Sequence, residues 1–213
     1  MRKPKRLILA LAGLMLAVGA ALGAAAPAGA AMTAGAAHAS AVSPAFTKCN
    51  IICPFGDIFN YGSGECIAPV PDPDIGYAAN NLAIEQFSCD PQFSLPQTWA
   101  MEPVGDAFVN GITRTVYHII NYQSHQCLDD RDGRTSDQSP VQQYTCNNTS
   151  TTMQWVRGDS LGGAYQLLNL RAVQNGGSTC LDVAGGSLED GAVLQLYHCT
   201  SQNAAQLFYL PGT

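Results

Sequence analysis

Hydrophobic and polar positions alternate along this chain in short runs. In "VLQLYHC", residues 193–199, Gln195, Tyr197 and Cys199 alternate with Leu194, Leu196 and His198. A strand turns such alternating sets to opposite faces. "PVQQYTC" at residues 140–146 and "AIEQFSC" at 83–89 repeat the phrase. Gly and Asp punctuate the segments, and no long stripe with a 3.6-residue period appears, so the elements predicted are short strands.

The runs belong to a larger repeat, and a repeat decides the architecture before any single element does. Cys127-Leu-Asp129 and Cys180-Leu-Asp182 each stand nineteen residues before a second cysteine, Cys146 and Cys199. Tyr117-His-Ile-Ile-Asn121 and Tyr165-Gln-Leu-Leu-Asn169 precede them. A third copy lies upstream, with Asn60 leading to Cys66 and "AIEQFSC" closing on Cys89. Each copy has a tail ending in an aromatic: Gln97-Thr98-Trp99, Met153-Gln154-Trp155 and Gln206-Leu207-Phe208. The first copy is swollen around "PVPDPDIGYAANN", and the third carries five extra residues around "QNGGS". Repeats are expected over about 50–104, 112–158 and 162–211. Closing such a repeat into a ring leaves no exposed strand edge.

Composition and charge narrow the class. Residues 2–6, "RKPKR", precede an Ala- and Gly-rich apolar stretch and small-residue sites ending at Ala30 and Ala39. This pattern reads as a secretory signal peptide within residues 1–39, cleaved after Ala30 or Ala39, rather than a retained anchor. Residues 40–48 are expected to be a flexible tail and 49–213 one domain. The leader holds four of the ten Lys and Arg residues, so six face sixteen Asp and Glu in the remainder. That balance disfavours nucleic acid and anionic membranes, which need clustered cations, and no membrane insertion is expected. All eight cysteines follow the leader, and secretion favours disulfides.

The ordered Cys-Leu-Asp, Gln-x-aromatic-x-Cys and Gln-x-aromatic phrases, written three times, resemble the ricin B-chain-type lectins. The resemblance covers about residues 50–210 and implies an all-β fold, the β-trefoil, with a six-stranded barrel capped by three hairpins. It also implies that the two cysteines of a copy bond to each other: Cys66–Cys89, Cys127–Cys146 and Cys180–Cys199. Cys49 and Cys53 remain, and a bond between them would complete the set. A zinc site there is disfavoured, because Cys-x-x-x-Cys alone supplies too few ligands. No metal or other cofactor is expected.

The family's function implies a carbohydrate partner, and sugar chemistry says which residues matter. Adjacent hydroxyls need a carboxylate or amide that engages two of them, and the C–H face of the ring needs an aromatic plate. In the third repeat Asp182, Gln195 and Tyr197 fill these roles. Gln206 matches the family's tail Gln, a brace for the Asp, while Ala205 replaces its usual Asn. In the second repeat Asp129, Gln142 and Tyr144 correspond. There Met153 and Thr152 replace the tail Gln and Asn, and Asp130 and Asp132 add like charge. The first repeat has Ala68, Glu85, Phe87 and Pro96 at these places, so it is expected to be structural, with its insertion over the pocket. The same residues have plainer uses: the Asp could shape a turn and the Tyr could be half-buried strand residues. Trp99, Trp155 and Phe208 are expected in the core, and His198 at the surface or in the core.

Enzyme signals are weak. No His-Glu-x-x-His or phosphate loop occurs, and "DDRDG" does not satisfy calcium-loop spacing. The sequence therefore predicts a secreted, non-catalytic lectin for galactose-type or related sugars. A β-trefoil that binds protein, as an inhibitor or a toxin-delivery subunit, is the alternative.

Overall fold

A computed structural model of the chain describes residues 54–90, 92 and 94–212. The expected signal peptide, the tail, and Cys49 and Cys53 lie outside the described residues. Thirteen strands form one hydrogen-bonded sheet. In chain order they are β1 (Phe55–Asp57), β2 (Phe59–Asn60), β3 (Cys66–Pro69), β4 (Leu82–Phe87), β5 (Thr98–Val109), β6 (Ile112–Asn121) and β7 (Cys127–Asp130). There follow β8 (Ser139–Tyr144), β9 (Gln154–Leu161), β10 (Ala164–Asn169), β11 (Thr179–Val183), β12 (Ala192–His198) and β13 (Phe208–Tyr209).

The pairings draw a closed ring and a triangle. β1 pairs β5, β5 pairs β6, β6 pairs β9, β9 pairs β10, β10 pairs β13, and β13 pairs β2. Since β1 and β2 are halves of one strand broken at Ile58, the ring is a six-stranded barrel. The hairpins β3–β4, β7–β8 and β11–β12 cap it. They touch through β4–β8, β8–β12 and β12–β4. This is the β-trefoil, and its closure satisfies every barrel edge.

The core repeats in triplets. Ile58, Ile119 and Leu167, then Ile67, Leu128 and Leu181, then Ile84, Val141 and Leu194, all lie in one buried cluster. Trp99, Trp155 and Phe208 are fully buried in the same cluster. Both indoles also fasten a hairpin, donating at 2.9 Å to the carbonyls of Ile67 and Leu128. Phe208 lacks that donor, so the third hairpin is held by packing alone at this point.

The asparagines that mark the repeats are clamps between them. The Nδ2 groups of Asn121 and Asn169 donate to the carbonyls of Pro96 and Thr152, each at 2.8 Å. That of Asn60 donates to the carbonyls of Ala204 and Leu207, each at 3.1 Å. Each clamp thus ties the start of one repeat to the one-turn 3-10 helix of another: Leu95–Gln97, Thr151–Met153 or Ala204–Gln206. Disulfides join Cys66 to Cys89, Cys127 to Cys146 and Cys180 to Cys199, as the resemblance implied.

The insertions dock on neighbouring repeats. The first repeat's insertion reaches the second, where Gln143 Nε2 donates to the carbonyls of Tyr77 at 2.7 Å and Ala79 at 2.9 Å. The lengthened segment between Asn169 and Cys180 of the third repeat begins with a short helix, α1 (Leu170–Gln174), capped by the Asn169 side chain. Among the described residues no helix is long and apolar enough to cross a membrane.

Candidate functional site

The repeated phrase is one hairpin, and register explains it. Cys180 faces Tyr197 and Asp182 faces Gln195 across β11–β12. Cys127 faces Tyr144 and Asp129 faces Gln142 across β7–β8. Cys66 faces Phe87 and Ala68 faces Glu85 across β3–β4. With a side-chain period of two, the Asp, Gln and Tyr fall on one face while Leu194, Leu196 and Leu128 enter the core. The disulfide sits at the base of each hairpin.

In the third repeat Asp182, Gln195 and Tyr197 line one open pocket of about 560 Å³. Gln195 Nε2 donates to Asp182 Oδ1 at 2.8 Å. A carboxylate has about four lone-pair sites, so it retains capacity for further donors. Burial pushes the Asp182 pKa up, while Gln195 and then Gln206 pull it down; Asp137 raises it and His198 lowers it. Gln206 does not line the pocket. It is fully buried, donating to the His198 carbonyl at 2.9 Å and accepting from the Thr200 amide at 2.8 Å. Its main task is therefore to shape the chain behind the pocket, with a secondary pull on Asp182.

Two pocket residues carry no signal in the hairpin phrase. Asn203 lines the pocket two positions before Ala205, at the start of the tail's helical turn. Gln138 comes from the second repeat, where its amide donates to the Leu196 carbonyl at 2.8 Å. His198 holds this neighbouring loop: its Nδ1 lies 2.8 Å from Asp137 Oδ2 and its backbone amide donates to Asp137 Oδ1. It is exposed, and its ring centroid is 4.5 Å from that of Tyr197, so it buttresses the plate.

The second repeat builds a comparable pocket of about 390 Å³ around Asp129, Gln142 and Tyr144. Gln142 Nε2 donates to Asp129 Oδ2 at 2.7 Å. The sequence suggested an unbraced carboxylate because Met153 replaces the tail Gln. The structure supplies another brace, Thr152, whose hydroxyl donates to Asp129 Oδ1 at 2.6 Å. Arg131 then orients Gln142, donating from Nε to Gln142 Oε1 at 2.8 Å and from a terminal nitrogen to the Asn81 carbonyl at 2.6 Å. Burial raises the Asp129 pKa; the Gln142 and Thr152 bonds lower it, and Asp132 raises it. Tyr144 is 37% exposed, open enough to serve as a plate.

The first repeat lacks this chemistry. Ala68 is buried, and Glu85 opposite it finds no carboxylate partner of the kind Gln142 and Gln195 have. The end of the insertion there, Asn80 and Asn81, reaches the second repeat's pocket: Asn81 lines it, and Asn80 Oδ1 accepts from the Thr145 amide at 2.8 Å. No group of three or more His, Cys, Asp or Glu among the described residues could hold a metal ion.

Comparison with known proteins agrees with this geometry. Residues 108–197 match the family model described as a ricin-type beta-trefoil lectin domain-like family. The β-trefoil fold recurs in a designed three-fold symmetric protein, ThreeFoil, at 21% identity and a TM-score of 0.61, covering 75% of this chain and 99% of that one. An exo-β-1,3-galactanase from Clostridium thermocellum matches at 23% identity and a TM-score of 0.58, over 75% of this chain; the chain spans only 30% of that protein. The C-half of an earthworm R-type lectin, solved in complex with GalNAc, matches at 14% identity and a TM-score of 0.52, covering 74% of this chain and 98% of that one. No curated protein matches the chain. The ricin-type fold and its lectin neighbours support carbohydrate binding in general.

Proposed function

We propose that this protein is a secreted, non-catalytic lectin with two sugar sites, one in the third repeat and one in the second, and a structural first repeat. One observation carries the reading. A buried carboxylate at the pocket wall, a cross-strand Gln amide within 2.8 Å of it and a neighbouring Tyr recur in two pockets on equivalent hairpins. The carboxylate and amide offer acceptors and donors at the spacing of adjacent hydroxyls, and the ring offers a face for C–H groups. Galactose-type sugars lead as ligands, supported by the GalNAc complex of the earthworm lectin. Open pockets of this kind bind monosaccharides weakly, near millimolar at about −4 kcal/mol.

A glycan array tests the proposal. The wild-type protein should bind a defined set of glycans, and the Asp182→Ala, Asp129→Ala double variant should lose them while keeping its thermal transition. A flat array from folded wild-type protein overturns the sugar reading and favours a protein partner. Turnover of polysaccharide by pure protein would overturn the non-catalytic part.

A further inference from the structure

The two pockets differ in charge, and the difference comes from elements that the repeat does not contain. No basic residue lines the third pocket. The second is lined by Arg171, which stands on α1, the helix that begins the third repeat's lengthened segment. Arg171 is exposed, and its side chain forms no hydrogen bond or ion pair with another described residue. Its path into the pocket depends on Gly133, whose backbone is left-handed at φ +61°. A Cβ at that position would stand 3.0 Å from Arg171 Nε and 3.1 Å from Thr152 Cγ2. The guanidinium and the side chain of Thr152, whose hydroxyl braces Asp129, therefore flank the same spot.

The other charged groups nearby are engaged. Arg131 is bonded to Gln142 and Asn81. Asp132 pairs with Arg134 at 3.3 Å. Each oxygen of Asp129 already accepts a short hydrogen bond. Asp130 is 1% exposed and accepts from the Thr135 amide at 3.2 Å, with Arg171 acting on it only as a more distant charge. Arg171 thus presents an open fork beside the hydroxyl-binding carboxylate. A guanidinium in that state matches a carboxylate by two parallel N–H···O bonds.

We infer that the second pocket selects a sugar bearing a carboxylate, such as a hexuronate or a sialate, and that Arg171 is its specificity-determining residue. The inference rests on the sugar-site reading and deepens it: Asp129 and Gln142 take hydroxyls, Tyr144 the ring face, and Arg171 the acid group. The third pocket keeps to neutral sugars.

NMR titration of the full chain with methyl galacturonide, methyl galactoside, galactosamine and sialyllactose tests this. Galacturonide or sialyllactose should shift second-repeat resonances and bind there about ten-fold more tightly than galactoside; the two acids report which carboxylate geometry fits. Arg171→Gln should remove that preference while galactoside binding at the third pocket, itself abolished by Asp182→Ala, stays unchanged and certifies the fold. Equal affinity for acid and neutral sugars, a preference for the amino sugar, or an unaltered preference in Arg171→Gln overturns the inference. Galactoside binding at the third pocket separates that result from failure of the lectin reading, which would silence every sugar at both pockets.

Discussion

Aspartates at successive positions of β7 stand in different surroundings. Asp129 faces the pocket and is held by two donors, whereas Asp130 occupies the place filled by core Val183 in the third repeat. Burial drives the Asp130 pKa from an ordinary 3.8 to about 6, against the pull of the Thr135 amide; Asp129 adds to the rise and Arg171 opposes it. The folded state therefore holds the proton more tightly than the unfolded chain. Below the ordinary value both states are protonated and nothing is lost. Stability falls as pH rises between the two values, and above about 6 the penalty is complete, on the order of 3 kcal/mol. Asp130→Asn should raise the urea midpoint at pH 8 and leave it nearly unchanged at pH 3; an equal gain at both would show that burial of charge is not the cause. Asp182, Gln195 and Tyr197 were legible because alternation fixes the face of each residue. Gln206 was legible as a neighbour of the carboxylate, whose pKa it pulls down, but sequence could not show that the His198 carbonyl and Thr200 amide would also engage its amide group.

At the scale of elements, each hairpin that carries a proposed sugar site is a short antiparallel pair that a disulfide closes at its base. The bond Cys180–Cys199 spans 19 residues, and a loop of that size is worth about 3 kcal/mol through the entropy of the unfolded chain. A Cys180→Ala, Cys199→Ala variant should lose about that much in urea unfolding. Its galactoside affinity should change little, because the Asp182–Gln195 pair lies two residues further along the hairpin and keeps its own ladder. A midpoint equal to wild type would mean that cross-strand bonds alone hold the hairpin. The strands and their turns follow local rules: Asn110 and Gly111, both at positive φ, join β5 to β6. The helix α1 does not, since a five-residue helix is not stable by propensity. It exists because Asn169 caps it and because Leu170 and Ala172 bury against the barrel.

For the whole molecule, pseudo-threefold closure sets two sugar-type pockets on one rigid body, at equivalent places around the cap. Weak sites on one body gain strength when a branched or polymeric ligand reaches both. Asp129→Ala should therefore weaken binding to a polysaccharide carrying both sugar types by far more than it weakens galactoside binding at the third pocket. Equal losses for polymer and monosaccharide would show that the pockets act one at a time. Closure also explains how unequal repeats can share one architecture. Each repeat contributes the same core triplet and clamp, while the insertions are free to vary because they lie outside the barrel.

By itself the sequence determined the number of repeats, the strand character of their segments, and the carboxylate, amide and ring on the second and third hairpins. These are consequences of a period of two and of repetition, both of which are local. Tertiary structure decided what surrounds those residues. Asn81 meets Arg131 across 50 positions of sequence, Arg171 enters the second repeat's pocket from the third, and Gln138 enters the third's from the second. Those meetings arise because a closed barrel places the loops of one repeat against the hairpin of another, and a linear pattern holds no record of which loops become neighbours.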